Sequence, residues 1–197
     1  MKLIIVRHGE TYENAAKIVQ GHLNSQLNEL GQEQAKKVAL RLKNEKIDFC
    51  YSSDLSRCVD TAEEIVNYHS GLGIVVSQEL REQAKGKFTG KTREERNAAQ
   101  KEMGIPYYAW DFDGGETLFQ VSERVVNFME SLLDKHEDKT VLVVTHGGPI
   151  TTYLLHLQNI PIESDEYISI KNTSITEINY QNETFELTTI NCDQHLK

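Results

Sequence analysis

No segment of this chain approaches the ~20 consecutive apolar residues that a membrane-spanning helix requires, and the "KLIIV" after Met1 is far too short for the apolar region of a signal peptide. A cytoplasmic location, with no membrane partner, is the expectation. Positive charge is also in deficit, with 21 Lys and Arg against 30 Asp and Glu, a formal net charge of -9 and a pI near 5.3. Nucleic acids and anionic membranes are held by gathering Lys and Arg against phosphates, so neither is expected as a partner. Any phosphate bound here must be handled by a few local groups. Cysteine is scarce too. Cys50, Cys58 and Cys192 are odd in number, far apart and without Cys-x-x-Cys spacing, which argues against a disulfide framework or a thiolate metal site and leaves three free thiols of packing importance. There is no internal repeat, no low-complexity tract and no linker that would cut the chain in two.

What is there suffices for one sizeable core. The chain has 197 residues, a hydrophobic share of 39%, and mixed charges typical of a globular protein, so residues 1–197 read as a single domain. Residues 3–6 (Leu, Ile, Ile, Val) and "TVLVV" at 140–144 are short continuous apolar runs, as expected of central parallel strands buried on both faces. Between them, Ala35, Val38, Ala39 and Leu42 recur at helical spacing, and Leu55, Cys58, Val59, Ala62, Ile65 and Val66 draw a second helical stripe. A third helix is marked by Leu118, Val121, Val125, Phe128 or Met129, and Leu132. A fourth is marked by Ile150, Tyr153, Leu154 and Leu157, with Pro149 expected at its first position. "SITEINY" and "TFELTTI" alternate apolar with polar and are split by "QNE", a hairpin signal. The order is that of a three-layer α/β/α sandwich around a mainly parallel sheet, in which ligands bind beyond the carboxyl ends of the strands. The least regular stretch, about 85–115, is equally an insertion or lid over that edge and a surface excursion.

Both apolar strands end on the same kind of residue. "LIIVRHG" delivers Arg7, His8 and Gly9, and "VLVVTHGG" delivers His146, Gly147 and Gly148. A lone His-Gly is more often a satisfied polar residue at a strand end than a functional one. Two of them on one edge of a parallel sheet can converge on a ligand, because glycine lets the backbone approach closely. In "SSDLSRCVDTA", Ser and Asp suit an N-cap, and Arg57 falls in the first turn, off the apolar stripe and so not required by the core. A solvated arginine is the bland reading there. A guanidinium at a helix N-terminus is also a good phosphate fork.

Taken together and in order, "RHGE", "SSDLxRxxxTA", "LRE" and "THGG" resemble the motifs of the histidine phosphatase superfamily, the phosphoglycerate mutase-like proteins, over almost the whole chain. The resemblance implies a phosphoglycerate mutase-like fold and a metal-independent phosphomonoesterase with no cofactor, acting on a small phosphorylated metabolite. His8 would attack phosphorus and form a phosphohistidine, while Arg7, Arg57 and His146 hold the phosphoryl oxygens. Glu82, in "QELREQAKGKFTG", would be the general acid and then the base that activates water. His8 should be neutral, its other N–H fixed by a carbonyl, whereas His146 is more useful protonated and would be held charged by the bound phosphate.

Asn14, Gln20 and Gly21 match positions of the family's first loop that line the substrate pocket, and Gly147 joins them at the second glycine-rich turn. Thr11 and Glu10 serve equally as helix-start residues and stay outside the expected site. Glu116 in "DGGET" either reaches the pocket rim or favours the next helix's positive end. Lys85, Lys87, Lys91 and Arg93 form a basic stretch where relatives carry aromatic and acidic residues. It is either a solvated loop or a rim for a second phosphate or carboxylate on the substrate.

Phosphatases of this kind are compact, as this chain is. The alternatives are mutase-type phosphoryl transfer, a catalytically silent module that binds a phosphorylated ligand, and a metal-dependent phosphohydrolase using His8, His22 and His146. The last lacks any His-x-x-x-His or paired Asp spacing. A homodimer is compatible with the sequence, which does not fix oligomeric state.

Overall fold

A computed structural model describes residues 1–164, 168–182 and 184–197. Six strands form one sheet: β1 (Lys2–Arg7), β2 (Phe49–Ser53), β3 (Ile74–Ser77), β4 (Thr140–Thr145), β5 (Ile175–Gln181) and β6 (Thr184–Cys192), in the order β3-β2-β4-β1-β5-β6. β3, β2, β4 and β1 run parallel; β5 and β6 are antiparallel additions. The two apolar runs are indeed the central pair, aligned from Leu3 opposite Val141 to Arg7 opposite Thr145. That register alone brings both histidine-bearing ends to one place.

The helices are α1 (Tyr12–Ala15), α2 (Glu29–Leu42), α3 (Ser56–Val66), α4 (Arg93–Met103), α5 (Leu118–Lys135) and α6 (Gly147–Leu157). Because successive residues of β1 and β4 point to opposite faces, each strand feeds two cores. Leu3, Ile5, Val141 and Val143 pack on Val121, Val125, Met129 and Leu132 of α5 and on Ile150, Tyr153 and Leu154 of α6. Ile4, Val6, Leu142 and Val144 pack on Val38, Ala39 and Leu42 of α2 and on Cys58, Ala62 and Ile65 of α3. The result is the three-layer arrangement, each fully buried aliphatic side chain contributing ~1.5–3 kcal/mol of hydrophobic stabilisation.

Three expectations need correction. Pro149 occupies the third position of α6, since the helix already begins at Gly147 with His146 as its N-cap. α3 is capped at Leu55 without a side-chain bond, because Asp54 turns away to a bidentate pair with Arg81 at 2.5 and 2.7 Å. The stretch 85–115 contains α4, which opens on a Thr92–Glu95 capping box and closes at Gly104 in the left-handed region. That stretch has its own apolar cluster of Phe88, Trp110 and Phe112. β5 and β6 pair antiparallel, as the hairpin signal implies; Glu183 of "QNE" lies outside the described residues.

Candidate active site

β1 ends in Arg7 and continues one step beyond the sheet, where the His8 amide donates to the Thr145 carbonyl at 3.0 Å. The backbone is pinned from the other side by Asn172, whose amide donates to the His8 carbonyl at 3.0 Å. The Gly9 amide donates to Thr61 Oγ1 on α3 at 3.1 Å. His8 Nδ1 lies 2.7 Å from the Gly9 carbonyl, which can only accept, so Nδ1 carries the proton and Nε2 keeps its lone pair. Burial pushes the His8 pKa well below its ordinary value, and Arg57 and Arg7 push the same way, so the ring is neutral at physiological pH. A rigid, neutral, singly committed imidazole is what an attack on phosphorus requires.

Arg57 is fully buried, contrary to its expected freedom from the core. The apolar stripe of α3 faces the sheet, and the first turn of that helix is covered on another side by the segment around Gly21 and Leu23. The Arg57 guanidinium donates to the Gly21 carbonyl at 2.9 Å and the Leu23 carbonyl at 2.7 Å, and its Nε donates to His146 Nδ1 at 3.2 Å. Gly21 makes this possible with a φ of 48°, a backbone conformation costly for other residues.

His146 departs from expectation in its place. Its Nδ1 accepts from Arg57, so the proton sits on Nε2, which donates to Ser53 Oγ at 2.9 Å. Both nitrogens are therefore used within the protein, and burial together with Arg57 depresses the pKa well below normal, so that any charge on the ring has to come with a bound phosphate. It is completely buried, edge-on to His8 with ring centroids 5.1 Å apart, and stands behind His8 and Arg57, not on the pocket wall.

Glu82 enters from the segment after β3. Its carboxylate accepts from the Gln83 amide at 2.8 Å and from the Gly148 amide, at the start of α6, at 3.3 Å. Its carbonyl is gripped by His22 Nε2 at 2.7 Å and by Arg124 at 3.1 Å. Glu116 completes this brace: its carboxylate binds Arg124 at 2.8 and 3.0 Å and accepts from the Ala84 amide at 2.8 Å. Glu116 is thus a support of the Glu82 segment and not an open rim group; it also directly precedes Thr117, the N-cap of α5. His22 is committed to the same brace, away from His8 and His146.

Arg7, His8, Asn14, Gln20, Gly21, Arg57, Glu82 and Gly147 all line one pocket of about 830 Å³ at the carboxyl edge of the sheet. Asn14 also caps the α1 turn with Thr11, which confirms Thr11 as a helix-start residue. Arg7 donates to the Ile170 carbonyl at 2.5 Å. The far side of the pocket comes from the irregular stretch: Lys85, Arg93, Arg96, Gln100, Tyr107 and Tyr108. Sequence reasoning passed over Tyr107, Gln83 and the Arg124 brace. Only the Thr92–Glu95 capping pattern could have announced the helix that carries Arg93 and Arg96.

Among the described residues no helix is long and apolar enough to cross a membrane, and no group of three His, Cys, Asp or Glu could hold a metal ion.

The chain resembles known proteins along nearly its entire length. Phosphoglycerate mutase-like protein 4 of Arabidopsis thaliana is 38% identical over 155 residues, covering 76% of this chain and 67% of that protein. A metal-independent phosphoserine phosphatase of the same plant is 35% identical over 162 residues, 79% of this chain and 68% of that protein. The crystal structure of phosphoserine phosphatase from Entamoeba histolytica in complex with 3-phosphoglyceric acid superposes with a TM-score of 0.87 at 30% identity, covering 100% of this chain and 99% of that one. The model of the histidine phosphatase superfamily (branch 1) matches residues 3–193, the span that carries every strand ending and helix start described above, and the chain belongs to that family.

Proposed function

We propose that the protein is a metal-independent phosphomonoesterase that hydrolyses a small phosphorylated metabolite through a phosphohistidine on His8. The single observation that carries this reading is the commitment of His8 Nδ1 to the Gly9 carbonyl, which leaves Nε2 as a neutral nucleophile in a pocket that also holds Arg7 and Arg57. Nε2 forms a bond to phosphorus as the ester P–O bond breaks, and the leaving oxygen takes the proton of the Glu82 carboxyl. Water then attacks phosphorus, Glu82 removes its proton, and the N–P bond breaks to release inorganic phosphate. Arg7 and Arg57 hold the equatorial oxygens, and the Gly147 turn and the Asn14 and Gln20 amides add uncharged contacts. His146 acts by fixing Arg57 and packing on His8. Two named relatives, a phosphoserine phosphatase and its counterpart complexed with 3-phosphoglyceric acid, indicate the size of substrate.

The whole chain acts as one histidine phosphatase domain, with 85–115 as a roof over the pocket. Phosphate release should be measured from a panel of phosphorylated metabolites with chelator present. Release should survive chelator, and quenching with denaturant at alkaline pH should trap an acid-labile, base-stable phosphoprotein that His8→Ala does not form. Release that persists in His8→Ala would sink the reading. Interconversion of phosphoglycerates without release would favour mutase-type transfer instead, the activity suggested by the other relative's name.

A further inference from the structure

A second cavity, of about 330 Å³, lies at the amino edge of the sheet, across the molecule from the catalytic pocket, and the two share no lining residue. Its volume falls at the lower end of the range for small-molecule sites. Leu3 at the start of β1, Leu157 of α6 and Ile178 of β5 give it a buried apolar floor, and Tyr153, Tyr180 and Phe185 give it aromatic walls.

The charge at its mouth is acidic. Glu130 and Asp134 stand one turn apart on α5, both exposed and both lining the cavity. Like charges four residues apart on a helix repel, and among the described residues Glu130 alone of the two has an ion-pair partner, His156 at 3.2 Å. The Met1 amino group, also on the wall, is engaged with the Tyr180 carbonyl at 2.7 Å.

Tyr153 is 2% exposed, yet its hydroxyl makes no hydrogen bond among the described residues. A tyrosine buried to this degree ordinarily finds a partner for its O–H. Burial, then Glu130 and Tyr180, push its pKa up, so the hydroxyl keeps its proton at neutral pH and its lone pairs stay open to a donor. Glu130 and Tyr180 both line the cavity, so the hydroxyl end of the ring is the one turned toward it.

We propose that this cavity binds a small organic cation, a primary amine carried on a flat apolar body such as an aromatic ring. The body displaces water from Leu3, Leu157 and Ile178 and packs on the aromatic walls. The ammonium has three donors and no acceptor, which suits the Glu130 and Asp134 carboxylates and the Tyr153 hydroxyl, and the rings around it add cation–π attraction. A neutral alcohol of the same shape keeps the apolar contact and loses the charge pairing. A carboxylate of that shape meets two like charges.

The test titrates the full chain with 2-phenylethylamine, 2-phenylethanol and 3-phenylpropionate, followed by backbone amide shifts in NMR. The amine should shift Leu133, Leu157 and Ile178 and bind about 10-fold more tightly than the alcohol, the scale of one charge-assisted hydrogen bond, with the propionate weaker than either. Replacing both rim carboxylates, Glu130→Gln with Asp134→Asn, should bring the amine down to the affinity of the alcohol. Tyr153→Phe should weaken the amine by about 10-fold while leaving the floor intact. Equal binding of amine and alcohol, no amine binding at millimolar concentration, or shifts confined to the catalytic pocket overturns the site. So does an amine preference that survives the double variant, whose two side chains are exposed and whose folding does not depend on Tyr153.

Discussion

Gly148→Ala offers a sharp separation of chemistry from folding. Gly148 is the second residue of α6, and its amide donates to the Glu82 carboxylate. A Cβ built there would overlap Glu82 Oε1 and stand 3.3 Å from Glu82 Cδ, whereas real Cβ atoms essentially never approach within 3.0 Å of another heavy atom. The yielding group is the end of a flexible side chain, so the carboxylate must swing aside by on the order of 1 Å, a displacement that typically costs ~100-fold in rate. That is ~2.7 kcal/mol in the barrier. Stability should move the other way or hardly at all, because alanine is better than glycine in a helix by up to ~1 kcal/mol, against one or two weakened hydrogen bonds. The assay is kcat/KM, which reads only the steps up to formation of the phosphohistidine, on an alkyl phosphate and on p-nitrophenyl phosphate, beside a thermal melt. The alkyl leaving group needs a proton and the nitrophenolate does not, so the loss should be concentrated on the alkyl ester. Unchanged alkyl turnover, or an equal loss on both esters, would refute Glu82 as the general acid.

Arg57→Lys retains charge but lacks the fork that serves Gly21, Leu23 and His146 together. It should lose ~2 kcal/mol in urea titration through unpaired buried acceptors, and inorganic phosphate should no longer raise its melting temperature. Arg124→Met releases the Glu82 carbonyl and the Glu116 carboxylate without touching His8 or Arg57. It should lower kcat ~10-fold with KM within about twofold, and a change in KM alone would contradict a positioning role. His8 and His146 bind protons more weakly folded than unfolded, so the unfolded chain gains protons first as pH falls below ~6.5. Stability is full above that value and is lost toward acid by up to ~1.4 kcal/mol per pH unit for each ring, with the weaker depressions at His69, His136 and His195 adding in the same direction. Equal urea midpoints at pH 7.5 and 5.5 would show that the rings are not held neutral.

The parts that were legible in the sequence are those whose cause is local. Residues 3–6 and 141–144 are apolar at every position because both faces of the central strands are covered. Their shared ending is visible for the same reason: a polar residue can appear only where the strand leaves the two cores. α2, α3, α5 and α6 each bury a stripe against the sheet, so their periodicity announces them. α4 buries none of its residues and carries no such stripe. Only its caps, Thr92 with Glu95 and then Gly104, record that a helix is there.

Arg57 and Lys85 escaped for a different reason. Charged residues are normally exposed, and nothing in the neighbouring sequence overrides that expectation. What buries Arg57 is the turn at residues 20–23, more than thirty positions away in the chain; what buries Lys85 is Gly21 on one side and Phe112 on the other. Both cations are enclosed by segments that reach them only once the fold is complete, and Gly21 is common to both. The chemistry of the strand ends can therefore be read from a short motif. The pocket lining supplied by the 85–115 stretch depends on how that stretch settles against the 20–23 turn, a contact no local pattern encodes. For that reason exchanging residues within "RHGE" should abolish turnover, whereas exchanging residues around Lys85 should redirect it.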